Sequence, residues 1–147
     1  MLLKADAVVI DLRQNIGGDP NTVALLSSFF LADNTHLWSI IDRAGEEVFK
    51  AYSAANPKKY QGDVYLLTSK TTYSAAEAFV YTLKHLGRAV LVGESTGGGA
   101  HLVEMKKVSE SIGFRIPVAR AYSPITKSNW ERIGVITDVE VLSLIHI

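Results

Sequence analysis

Three observations predict an α/β fold. Apolar runs of strand length recur at residues 8–12, 64–68 and 90–93. Each ends at a turn rich in glycine or small polar residues, and two of them lead into a helical pattern. Strands that alternate with amphipathic helices build α/β architectures. The third observation is composition: 48% hydrophobic and 20% charged residues in a chain of 147, enough for one domain with a real core.

The first run, Val8-Val9-Ile10-Asp11, reads as a buried strand that passes through Asp11 and Arg13 into the pair Gly17-Gly18. Asp19-Pro20 then supplies a helix N-cap and a first-turn proline. Val23, Leu26, Phe29 and Phe30 give that helix its apolar face. Residues 37–43 and 46–52 flank Ala44-Gly45 and predict a hairpin inserted before the next strand. Asn56-Pro57-Lys58-Lys59 is a polar connector. Val64-Tyr65-Leu66-Leu67-Thr68 is the second buried strand.

Ala75, Phe79, Leu83 and Leu86 recur at helical spacing after it, and Gly87 closes the helix as a C′ glycine. The third strand, Val90-Leu91-Val92, runs into the loop Gly97-Gly98-Gly99. Residues 102–108 and 113–118 form a second antiparallel pair, with Pro117 at an edge position.

Composition excludes several function classes. Zero cysteines rule out disulfides, thiol catalysis and cysteine-bound zinc. A formal net charge of zero gives no footprint for nucleic acid or anionic membrane. No run is long or apolar enough to span a bilayer as a helix.

The informative residue is Ser74, between the second strand and its helix. A helix N-terminus offers free N–H groups and the positive end of the dipole. A nucleophilic serine needs that environment, because attack on a carbonyl creates an oxyanion. Ser74-x-x-Glu77 is equally a capping box, which needs no catalytic role. The Gly17-Gly18 turn can present backbone N–H groups to a ligand without a Cβ in the way. The loop at 97–99 lacks the Gly-Lys-Ser/Thr ending of a phosphate-binding loop.

Four ordered motifs carry a resemblance. They are Asp11-Leu12-Arg13-x-Asn15-x-Gly17-Gly18; Thr72-x-Ser74-Ala75-Ala76-Glu77; Gly87-Arg88-Ala89 with Val92-Gly93-Glu94-x-Thr96-x-Gly98; and Asn129-Trp130-Glu131-x-x-Gly134-Val135-x-x-Asp138. Together they resemble the tail-specific or C-terminal processing serine peptidases, and within them the branch of the tricorn core protease and the retinoid-binding repeats. The resemblance implies a ClpP/crotonase-like core of repeated strand–strand–helix units. It implies Ser74 as nucleophile, with N–H groups of Ala75 and of Gly17 or Gly18 as the oxyanion hole. No metal or organic cofactor is implied. The implied partner is a polypeptide substrate, and the implied location is periplasmic or secreted.

One departure matters. The serine–lysine members place a lysine base in the glycine loop, where this chain has Gly99. Tricorn-like members use an upstream histidine, oriented with help from a late glutamate, and Glu131 is the match for that glutamate. No histidine here occupies the upstream position, so the 147-residue chain is expected to lack its histidine base. His101 could line the site, bind substrate or satisfy a loop backbone group. His36 and His85 stand where neither suggests catalysis.

Residues 1–141 are therefore expected to be a peptidase core truncated at its N-terminus. Residues 142–147, Leu-Ser-Leu-Ile-His-Ile, read as a non-native tail. The leading expectation is a serine endopeptidase working through a Ser74 acyl-enzyme. The alternative is a non-catalytic module that binds an apolar ligand such as a retinoid or fatty acid. Acyl-CoA chemistry on the same scaffold leaves the serine at the helix start unexplained.

Overall fold

A computed structural model describes residues 4–141; the expected non-native tail lies outside the described residues. The elements run β1 (Ala7–Asp11), α1 (Pro20–Ser27), β2 (His36–Asp42), β3 (Glu47–Tyr52), β4 (Asp63–Thr68), α2 (Ala75–His85), β5 (Val90–Gly93), β6 (His101–Lys107), β7 (Gly113–Tyr122) and β8 (Val139–Glu140). They form two four-stranded sheets. One is parallel, in the order β1-β4-β5-β8; the other is antiparallel, in the order β3-β2-β7-β6. The expected α/β class is what forms.

Local signals set the element ends. Asp19 accepts a bond from Asn21 N–H at 2.9 Å and starts α1, with Pro20 as its first residue. Gly87, at φ +66°, ends α2, while Arg88 N–H closes back on Leu83 O at 2.8 Å in a Schellman-type stop. The Arg88 guanidinium then donates to Phe30 O, Tyr60 O and Gly62 O. That clamp explains an arginine directly after the helix stop. The hairpin at Gly45 forms as expected, with Asp42 Oδ1 accepting from Ala44 and Glu46 N–H.

The core lies between the parallel sheet and α2, where Val64, Leu66, Leu91, Phe79 and Leu83 are buried. Two expectations need correction. First, β1 is not buried along its whole length: Val8 is buried, but Val9 is 62% exposed. Among the described residues β1 is an edge strand whose partner is β4, so alternate side chains face opposite surroundings. Second, α2 is not a one-faced amphipathic helix, because every residue from Ala76 to Leu83 is buried. Ala76, Ala78 and Thr82 are small enough to let other elements close over the second face.

Pro117 sits in β7, which is interior by strand order. β2, however, pairs only with residues 119–122 of β7, so Pro117 has β6 on one side and no ladder on the other. With one side unpaired, Pro117 holds the local edge position expected for a residue that lacks an N–H.

Candidate active site

The two strand-to-helix turns are laced together. Thr72 Oγ1 donates to Leu12 O at 2.8 Å, Ser69 Oγ to Arg13 O at 2.6 Å, and Tyr73 N–H to Asn15 O at 3.0 Å. Asn15 Oδ1 in turn accepts Gly17 N–H at 2.9 Å. These bonds press the glycine turn onto the start of α2. A Cβ placed on Gly17 would lie 2.8 Å from Tyr73 O and 2.9 Å from Ser74 Cβ. Only glycine fits there, and its φ of +104° independently favours glycine.

Ser74 has φ +56° and ψ −120°. A non-glycine residue in that region is strained by on the order of 1–3 kcal/mol. Ser74 and Glu77 occupy the two positions of a capping box, and Ser74 N–H donates to Glu77 Oε2 at 2.8 Å. The reciprocal half, Glu77 N–H toward Ser74 Oγ, completes the capping box without reaching full hydrogen-bond geometry. A cap oxygen only accepts, so the capping box leaves the hydroxyl proton itself unengaged.

Among the described residues, neither Gly18 N–H nor Ala75 N–H donates to a protein acceptor. Gly17 N–H is already held by Asn15, so of the glycine pair it is Gly18 that can offer a donor. Gly18, Ser74 and Ala75 line one cleft of about 660 Å³, together with His101 and the apolar side chains of Trp38 and Phe49.

Glu77 does far more than cap. It is fully buried, and its two oxygens accept four bonds. Thr96 Oγ1 and Gly98 N–H donate to Oε1 at 2.6 and 2.7 Å; Ser74 and Gly99 N–H donate to Oε2, each at 2.8 Å. The glycine-rich loop is thereby tied to the serine turn. The sequence showed Glu77 only as a cap residue; the signal available was its place in one motif and Thr96 in another.

Glu131 is not a solvated surface carboxylate. It is partly buried, accepts Ala100 N–H at 2.8 Å, and lies 3.6 Å from His101 Nδ1. Trp130 beside it is buried and donates its indole N–H to Gly99 O at 3.1 Å. His36 bonds Ser39 Oγ and stacks on Tyr52, away from the cleft. His85 lies in a separate hollow with Lys84 and Asp138, where burial pushes its pKa down. His146 lies outside the described residues. Among those residues no cluster of side chains suited to a metal ion is present.

Comparison with known proteins fits this geometry. The family model described as "Peptidase family S41" matches residues 2–141. A carboxyl-terminal-processing protease of Picosynechococcus sp. is 28% identical over 134 residues, covering 91% of this chain and 31% of that protein. A tail-specific protease of Haemophilus influenzae is 25% identical over 95 residues, 65% of this chain and 13% of that protein. The solved photosystem II D1 C-terminal processing protease superposes with a TM-score of 0.76 at 26% identity, over 92% of this chain and 34% of that one. The tricorn protease, at 19% identity and a TM-score of 0.54, shares the fold over 93% of this chain and 13% of its own. The chain thus spans about a third or less of the length of these relatives.

Proposed function

This chain belongs to peptidase family S41, and we propose that it carries the nucleophile and oxyanion hole of a serine endopeptidase acting on extended polypeptide. Ser74 Oγ attacks the scissile carbonyl, and Gly18 and Ala75 N–H receive the oxyanion. The observation that carries this reading is the strained backbone of Ser74 at a helix N-terminus, in one cleft with the unengaged N–H groups of Gly18 and Ala75. A binding module gains nothing from that strain, which weighs against the apolar-carrier alternative. Each oxyanion donor is worth about 10²–10³ in rate in comparable sites.

The substrate enters as a strand. β6 borders the cleft and is exposed along its length, and among the described residues its outer edge is unpaired. An extended peptide can add there by backbone pairing, with Trp38 and Phe49 offering apolar contact. The periplasmic or secreted location expected from the family remains part of this proposal. No helix among the described residues is long and apolar enough to cross a membrane.

The test is labelling by a fluorophosphonate together with hydrolysis of an unstructured peptide. Ser74→Ala should abolish both and lower stability by no more than the roughly 1 kcal/mol of a lost cap. Turnover or labelling that survives in Ser74→Ala would reduce Ser74 to a structural residue.

A further inference from the structure

We infer that a second copy of this chain docks on the outer edge of β6, antiparallel and two-fold symmetric about Met105. The copy then covers the edge to which the proposed function assigns the substrate strand. That blocking rests on the proposed function; the docking itself does not.

The edge is open and apolar. β6 ends the antiparallel sheet, and among the described residues nothing pairs with its outer side. All of its residues are exposed, Met105 to 65% and Val103 to 42%. Residues 113–117 of β7 pair with β6 alone, so this half of the hairpin stands as a two-stranded ribbon. Such a ribbon is marginal in water by itself. A long edge strand with exposed apolar side chains is a template for another strand.

Two bonds fix which backbone groups look outward. Ala121 N–H donates to Ala100 O at 2.8 Å, and Val108 N–H donates to Ile112 O at 2.9 Å. Backbone groups alternate sides along an antiparallel strand, so the even-numbered residues of β6 bond toward β7. The N–H and C=O of Val103, Met105 and Lys107 therefore face the open side. An antiparallel neighbour must meet them with outward groups of its own. A second β6 does so when Met105 lies opposite Met105 of the second copy, and Val103 opposite Lys107 of the second copy. Each such pair exchanges two backbone bonds.

The same register sorts the charges. Glu104 and Lys106 share one face and pair at 2.6 Å within the chain. Turned about Met105, Glu104 falls opposite Lys106 of the second copy, and Lys106 opposite its Glu104. These are the non-hydrogen-bonded pairs, where side chains lie closest. Opposite charges there stabilise, and like charges destabilise. Sliding one copy by two residues preserves the backbone bonds but sets Glu104 against Glu104 in one direction and Lys106 against Lys106 in the other. The edge thus selects one register of its own copy. That register also brings exposed Leu102 toward exposed Val108 of the second copy.

The contact is isologous, so it closes at a dimer. The sheet β3-β2-β7-β6 continues across the axis into the second copy's β6-β7-β2-β3. β6 borders the cleft that holds Ser74. Peptide and second copy then compete for one edge, and rising protein concentration favours the copy.

Sedimentation velocity of the 147-residue chain over a range of concentrations should show a reversible monomer–dimer equilibrium. Glu104→Lys and Lys106→Glu each make both cross-strand pairs repulsive and should weaken the dimer about tenfold or more. The double exchange Glu104→Lys with Lys106→Glu restores opposite charges across the axis and should recover the wild-type affinity. Met105→Pro removes an outward N–H while sparing the bonds to β7, so it should abolish the dimer and keep a folded circular dichroism spectrum. A synthetic peptide of residues 101–108 carries the same edge and should dissociate the dimer. A chain monomeric at every concentration would overturn the inference and leave the edge to peptide alone. A dimer indifferent to the charge reversals and to Met105→Pro would overturn it too, because its contact would lie elsewhere. An unstructured peptide bound equally well by the wild-type dimer and by monomeric Glu104→Lys would overturn the blocking of the substrate edge. Fluorophosphonate labelling of the same samples reads Ser74 separately: its failure beside a charge-sensitive dimer removes the nucleophile reading and leaves the docking in place.

Discussion

Glu77→Gln probes the joint that holds the site together. The buried carboxylate meets four donors: Thr96 Oγ1 and Gly98 N–H on one oxygen, Ser74 and Gly99 N–H on the other. A glutamine keeps one acceptor oxygen and turns the other into an NH₂ that only donates. Two orientations compete. With the amide oxygen toward Thr96 and Gly98, both Ser74 and Gly99 N–H face a donor. With it toward Ser74 and Gly99, the Thr96 hydroxyl can rotate and accept, and Gly98 N–H alone is orphaned. The second orientation is the cheaper. An orphaned buried donor costs about 1–3 kcal/mol, and the three surviving bonds lose their charge assistance. The expected loss is about 2–4 kcal/mol, a large part of the roughly 5–15 kcal/mol that holds a domain folded. Glu77→Ala orphans all four donors and should cost more still. Urea unfolding followed by tryptophan fluorescence reads this directly, because buried Trp130 is bonded to the same loop. Midpoints for both variants equivalent to within ~0.5 kcal/mol of wild type, the scatter of ordinary surface changes, would refute the reasoning.

Other expectations follow from the same geometry. Gly17→Ala puts a methyl 2.8 Å from Tyr73 O at φ +104°, so it should cost roughly 2 kcal/mol or more and sharply slow Ser74 labelling; a normal melt with normal labelling would contradict the contact. Ser74→Gly relieves the strain at φ +56° and should raise stability by roughly 1 kcal/mol while abolishing labelling, as thermal melts would show. Asp138 gives a pH signature. Burial acts to raise its carboxyl pKa, but bonds from Lys84 and from Leu91 N–H outweigh burial and hold it below the ordinary carboxylate range. A depressed folded-state pKa contributes stability above the unfolded value and loses it as pH falls through the folded one. Asp138→Asn should therefore be less stable than wild type at neutral pH, by roughly 1 kcal/mol after allowance for solvent screening. The gap should close in acid; a gap constant with pH in urea titrations would show that the charge is irrelevant.

The sequence by itself determined what is local. Asp19-Pro20 opens a helix, Gly87 closes one, and Gly45 turns a hairpin because each acts through its own backbone dihedrals and nearest neighbours. For the same reason Ser74 could be placed at a strand-to-helix junction. Tertiary structure alone decided which groups meet. That Gly17 rests against Ser74, that Gly17 N–H is taken while Gly18 N–H is not, and that Glu77 gathers donors from two segments all depend on sheet order and register. The burial of α2 on both faces and the exposure of Val9 follow from which layers close over each element, which periodicity within one segment does not record. His101 shows the division most plainly. As a residue after a glycine run it carried three open roles. Its partner Glu131 lies on a distant segment, brought to 3.6 Å by the packing of Trp130 under the loop. A contact between distant segments is fixed by the global path of the chain, and short-range sequence patterns carry no term for it.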